Sequence, residues 1–279
     1  MVQVLSTIDW VLRLIVVMSK GHCQFTNLLE ESCVARLDIS VDRKYFRADS
    51  INHGRLTRDF FETMTENVFN QSYRYWKEYR DLVKCGEVPL LHGERNLYSI
   101  FASAINSISP IHLSEWSFNK SDRTSTPKSK SDKSDKNRRV DFWCLNRDSA
   151  NGKRINYFIE IKKTWYCLSE GTQESLTDDA RSKVEGLVTQ LKSLEQLKPD
   201  WDGDGDVFLG VVVIHGYYPK GKRLGYDKNH VRENVHNLLQ QKFEKAQLLI
   251  STWNLPDEME VQWDSDRCKF ILIAGIAIS

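Results

Sequence analysis

The chain has 279 residues, 41% hydrophobic and 11% aromatic, enough to bury a sizeable core in one large domain or two small ones. The net charge is +1, which excludes a polycation that binds nucleic acid along its whole length, so such contacts must come from local Lys and Arg clusters. The six cysteines form no CxxC pair and stand at no zinc-finger spacing with histidine, which argues for buried thiols in a reduced, cytoplasmic chain.

Residues 11–18 are apolar, with Arg13 inside the run and Asp9 just before it. A membrane helix needs about 20 apolar residues, so no membrane association is expected. The run also lacks the basic start and small-residue cleavage site of a signal peptide. A start at Met18 instead of Met1 is compatible with the same pattern. Val34, Leu37, Ile39 and Val41 suggest a strand over 34–41. Helical spacing of Phe60, Phe61, Met64, Val68, Tyr75, Tyr79 and Leu82 predicts a helix over 57–84, broken by Gly86 and Pro89. A second helix is predicted over 90–108, with Leu97, Ile100, Phe101, Ala104 and Ile108 as its stripe and Pro110 as its stop.

A strand follows at 111–118. Residues 119–139 then contain eight Lys or Arg, three Asp and no aliphatic or aromatic side chain. Such a segment cannot bury enough surface to offset its ordering entropy. It reads as a mobile basic loop, 119–138, suited to phosphate contacts. Strands at 139–146 and 154–163 around an Asn-Gly turn form a hairpin. A helix over 174–197 and a wholly apolar strand at 207–216 come next. A helix over 229–250 and strands near 259–263 and 269–278 complete the chain. The expected fold is α/β, a mixed central sheet flanked by helices. Its parts are an extension at 1–88, a core at 89–216, and a C-terminal addition at 217–279.

The hairpin carries the chemistry. Asp141 interrupts one apolar strand; Glu160 and Lys162 interrupt the other. Strand alternation turns Glu160 and Lys162 to the same face. Folding near residue 150 sets Asp141 opposite Glu160, so the two carboxylates are expected to share that face. Charges inside such strands are costly unless paired or metal-bound. A hard divalent cation, Mg²⁺ or Mn²⁺, resolves the repulsion between two carboxylates, and no Cys or His argues for zinc. Lys162 could hold the attacking water beside a polarised phosphate. For the Glu160–Ile161–Lys162 triplet alone, a cross-strand salt bridge is the simpler reading. Asp141 at matching depth and the order of elements reverse that preference.

VDFW followed by FIEIKK resembles the PD-(D/E)xK nuclease superfamily, the fold of many restriction endonucleases. Its core runs helix, three-stranded meander, helix, strand, the order expected over 89–216. The resemblance implies a restriction endonuclease-like core in which Asp141 and Glu160 bind Mg²⁺ or Mn²⁺ and Lys162 is catalytic. Val140 stands where the nominal Pro would precede the Asp. The resemblance also implies a further metal ligand from the first helix, for which Glu94 in HGERNLYSIF is the candidate. Gln190 in VTQLKSL matches a Gln of some relatives, although the Tyr that follows there is Leu194 here. Lys163 falls on the opposite face and reads as structural or phosphate-contacting, and Arg139 is another candidate for substrate contact. The implied activity is hydrolysis of nucleic acid, DNA foremost, in a restriction, phage-defence or mobile-element setting. An oligomer, or a protein partner in a multi-subunit system, is compatible with it. A catalytically silent nucleic-acid-binding or scaffold protein and an effector switched on by a partner are the alternatives.

Other signals read as ordinary structure. The Asp202 to Asp206 run resembles a calcium loop, but its twelfth position is Val213 instead of Glu. His230 and His236 are six residues apart on a helix and do not share a metal. His215 ends the buried strand near the site and is a weak substrate-binding candidate. Lys220, Lys222 and Arg223 form a second basic patch. Trp165 and Tyr166 could stack on bases, with core packing the simpler role.

Overall fold

The run VFLGVVVIHG has no polar face, so only burial on both sides suits it. It lies within strand β5, Gly205–Pro219, the fourth of seven consecutive strands that the described residues form in one sheet. The other strands are β1 (Ile39–Asp42), β2 (His112–Asn119), β3 (Asn137–Arg147), β4 (Arg154–Cys167), β6 (Gln247–Asn254), β7 (Gln262–Trp263) and β8 (Asp266–Ile278). The sheet runs β1-β6-β8-β5-β4-β3-β2, with β7 paired to β8 off this path. β4 and β5 are parallel, and the other neighbours are antiparallel. This computed structural model describes residues 37–84, 88–91, 94–119, 137–148, 151–169, 178–197, 203–223, 225, 227–242, 247–256, 259, 262–263 and 266–278.

Among the described residues, four α-helices cover the sheet: α1 (Gly54–Val83), α2 (Glu94–Asn106), α3 (Asp178–Leu197) and α4 (Lys228–Lys242). α1 and α2 share one core with Phe142, Tyr157, Ile159, Ile161, Leu209 and Val211. α3 and α4 share the other with Phe158, Phe208, Val212, Ile250 and Leu272. The period of two along each strand thus divides its side chains between two helical layers. α1 buries Phe60, Phe61, Met64, Val68, Phe69 and Trp76. Phe60 stacks on Tyr157 at 4.0 Å. Gly275 admits Phe61, because a Cβ there would lie 2.3 Å from the Phe61 ring.

The central elements follow the predicted order of helix, three-strand meander, helix, strand. Among the described residues, β1 from the first flanking segment and β6 and β8 from the last join the same sheet as the core strands. α2 begins at Glu94, after a 3-10 turn over Pro89–Leu91. Ser109, ahead of Pro110, donates its hydroxyl to the Leu145 carbonyl at 2.6 Å and ties the helix end to β3.

The prediction for the last helix is corrected. The helix expected over 229–250 stops at Lys242, and Gln247–Asn254 is strand β6. Its apolar side chains satisfy helical spacing, but every residue from Gln247 to Trp253 is buried, as a strand between β1 and β8 requires. The strand predicted at 259–263 is reduced to β7. Residues 34–36, the basic segment 120–136 and residues 174–177 of the predicted helix lie outside the described residues. Among the described residues, no helix is long and apolar enough to cross a membrane.

α1 ends on Lys84, whose backbone is left-handed at φ 60° while its N–H donates to the Arg80 carbonyl at 2.9 Å. An L side chain in that region is strained by about 1–2 kcal/mol, and glycine is not. Lys84→Gly is therefore expected to raise stability by about 1 kcal/mol. Chemical denaturation of the two proteins checks this, and a lower midpoint for the variant would count against it.

Candidate active site at a fork in the sheet

β3 and β4 pair from Arg147↔Arg154 to Phe142↔Ile159, and there the ladder ends. Beyond it, among the described residues, 137–140 of β3 pair only with β2, and 160–167 of β4 pair only with β5. The sheet thus forks, and the next position on the shared register is Asp141 with Glu160. The strands are distorted here. Across β2, Glu115 has φ 50° and is skipped between the pairs Ser114↔Phe142 and Trp116↔Val140. Val140 packs with the α3/α4 core but Phe142 with the α1/α2 core, so alternation fails at Asp141. Such irregularities re-aim a side chain.

The re-aimed group is the Asp141 carboxylate. Its Oδ2 accepts the Ile161 N–H at 2.7 Å, replacing the backbone acceptor that β3 would have supplied. Its Oδ1 accepts the Tyr98 hydroxyl of α2, also at 2.7 Å. Each oxygen keeps a lone pair, and both bonds are the short, charge-assisted kind. Glu160 is only 3% exposed, and Lys162 is half-buried. Alternation from Phe158 carries both toward α3. Gly210 lies directly across from Glu160, and α3 comes close over it: a Cβ there would lie 2.7 Å from a Leu191 methyl. The single shared face expected for Asp141 and Glu160 is therefore corrected. Glu160 turns toward α3, whereas Asp141 reaches across the gap to a β4 main-chain N–H and to Tyr98 on the α2 side.

The remaining candidates separate. Glu94 is the first residue of α2, one turn ahead of Tyr98; its side chain lies outside the described residues. Arg139 is exposed on β3, two residues before Asp141. Gln190 is exposed on the outer side of α3, while Leu187 and Leu191 turn inward, so it is not brought to the fork. Lys163 is buried on the α1/α2 side. Its ammonium donates to the Leu91 carbonyl at 2.6 Å and lies 5.0 Å from the centre of the Trp165 ring. His215 is buried beside Trp165, with ring centroids 4.6 Å apart, on the face opposite Glu160 and Lys162. Tyr166 is core, its hydroxyl accepting from Asn234 at 2.7 Å. Asp204 accepts the Arg154 N–H at 2.7 Å and Asp206 accepts from the Asn156 amide at 2.9 Å, so both serve the start of β5 as structure. Cys144 and Cys268 are buried free thiols; burial pushes Cys268 up to about 12.

Tyr98 was missed by the sequence reading. Its signal was a polar tip beside the apolar stripe of α2, four residues after Glu94, but nothing local marks its partner in β3.

Among the described residues, no three His, Cys, Asp or Glu side chains cluster. Asp141 is the carboxylate lodged in the fork, while Glu160, opposite it in register, turns toward α3. Carboxylate oxygens suit Mg²⁺, which keeps several waters and commonly binds through one or two carboxylates plus substrate phosphate. They do not suit zinc, which takes nitrogen or sulfur ligands. No protein-family model, no curated protein and no solved structure matches the chain.

Burial, with the Lys163 cation adding to it, pulls the His215 imidazole from 6.5 to about 3, against weaker opposing contacts from the Leu90 and Thr164 backbone. The ring is thus neutral in the fold and protonates readily once unfolded. Its contribution to stability is complete above about pH 6.5 and is lost as the pH falls toward 3. Replacing the ring removes this dependence. Between pH 7 and 4.5, His215→Leu is expected to lose about 2 kcal/mol less stability than the wild type. Denaturant titrations at the two pH values measure the difference, and equal losses would rule His215 out as the acid-sensitive group.

Proposed function

We propose that this chain is a metal-dependent nuclease of the PD-(D/E)xK type, with a restriction endonuclease-like core from α2 to β5. The observation that carries this reading is the Asp141 carboxylate lodged where β3 and β4 part, next to Glu160 and Lys162. The order of the surrounding elements supports it. Asp141 and Glu160 would hold Mg²⁺ or Mn²⁺. When bound, the cation supplies charge to stabilise the phosphoryl oxygens and acidifies a bound water. The chain's own groups do the rest. Tyr98 and the Ile161 N–H fix the Asp141 carboxylate. Lys162 orients the water and offers a positive charge to the pentavalent phosphorus centre. DNA is the favoured polymer. Arg139 would meet phosphate, adding salt-sensitive affinity.

A second reading has its own support. Both Asp141 oxygens already accept hydrogen bonds within the protein, as in a carboxylate retained for structure. On that reading the chain binds nucleic acid without cutting it, or cuts only when a partner protein reshapes the fork.

Plasmid, single-stranded DNA and RNA, each incubated with Mg²⁺ and with Mn²⁺, distinguish these readings. The wild type is expected to cleave at least one of them. Asp141→Ala and Lys162→Ala are each expected to cut at least about 100-fold more slowly. Cleavage by Asp141→Ala at the wild-type rate would refute the assignment. Retained binding with no cutting by any variant would favour the silent reading.

A further inference from the structure

Two contacts fix the start of α2 across the fork. On the β4 arm, the Lys163 ammonium donates to the Leu91 carbonyl in the turn that leads into α2. On the β3 arm, the Tyr98 hydroxyl donates to Asp141 Oδ1. The Tyr98 ring is held by packing independent of that bond, edge-on to Phe142 at 5.6 Å.

The Ile161 N–H alone fixes one oxygen of Asp141 and leaves the carboxylate free to swing about that contact. A second donor on the other oxygen, from a different element, removes the swing. We infer that Tyr98 is the positioning residue of the cation site: it sets the plane of the Asp141 carboxylate so that the remaining lone pairs face the ion. This rests on the nuclease reading above. The same bond ties that plane to the first turn of α2, where Glu94 precedes Tyr98 by one helical turn. A displacement of α2 would therefore reach the carboxylate directly. Donors that orient a ligand in this way typically change metal affinity by about 10- to 100-fold when removed.

The full chain is titrated with Mn²⁺ alone, and free Mn²⁺ is followed by electron paramagnetic resonance. Wild type, Tyr98→Phe and Asp141→Asn are compared, with thermal unfolding of each as a control. Phenylalanine keeps the ring against Phe142 and deletes only the hydroxyl. Tyr98→Phe is expected to bind Mn²⁺ about tenfold more weakly at a nearly unchanged unfolding midpoint. In a parallel cleavage assay, high Mg²⁺ is expected to restore its rate with no change in the KM for substrate. A hydroxyl that only braces the fold would lower the unfolding midpoint and leave the titration unmoved, which would overturn the inference and spare the nuclease reading. Wild-type affinity in Asp141→Asn, or no Mn²⁺ uptake by the wild type, would overturn both.

Discussion

The main-chain N–H of Ile161 faces a strand that has turned away. β4 keeps β5 on its other side along Ile155 to Cys167, but its ladder to β3 ends at Ile159. A buried amide left without an acceptor costs about 1–3 kcal/mol, and the loss would fall at the middle of the sheet. The Asp141 carboxylate removes that cost by standing in for the absent carbonyl. The substitution lets the sheet fork without unravelling. It also delivers a negative charge to the point where the strands separate. The chemistry proposed for this chain depends on that exchange, because a regular ladder would have neither the gap nor a carboxylate in it.

β4 shows how one strand can serve two opposed demands. Ile155, Tyr157, Ile159 and Ile161 enter the α1/α2 core, and Phe158, Tyr166 and Leu168 at its end enter the α3/α4 core. Glu160 and Lys162 interrupt this second set. A glutamate only 3% exposed requires compensation from hydrogen bonds, counter-charge or a cation. Gly210 beside it lets Leu187 and Leu191 approach closely, so α3 dries the neighbourhood of Glu160. A dry, charged position raises the strength of every electrostatic contact made there.

Much of this was legible in the residues. β5 is apolar on both faces and could hardly be misread, and the hairpin registered near residue 150, so Asp141 and Glu160 fall at matched depth. Strict alternation, however, places the two on one face, and the fold does not. The reason is non-local: Glu115 adopts a left-handed backbone on the neighbouring strand, and Tyr98 arrives from a helix that precedes both strands. Strand β6 was hidden for a different reason. LLIS satisfies the spacing of an amphipathic helix until burial on both faces excludes one, and that burial is supplied by β1 and β8, from distant parts of the chain.

The adjacent lysines carry the last step. Lys162 and Lys163 are identical in chemistry and neighbours in sequence, yet the pleat sends them to opposite sides of the sheet. Lys163 is committed: its ammonium is bound to the Leu91 carbonyl over the Trp165 ring, and its charge helps keep His215 neutral. Lys162 is half-buried on the Glu160 side. Moving the register of β4 by one residue would exchange these roles and turn Glu160 into the α1/α2 core. The parallel ladder with β5 fixes that register over thirteen paired residues from Ile155 to Cys167. The apolar strand that looks least functional therefore decides which lysine shares the side of Glu160.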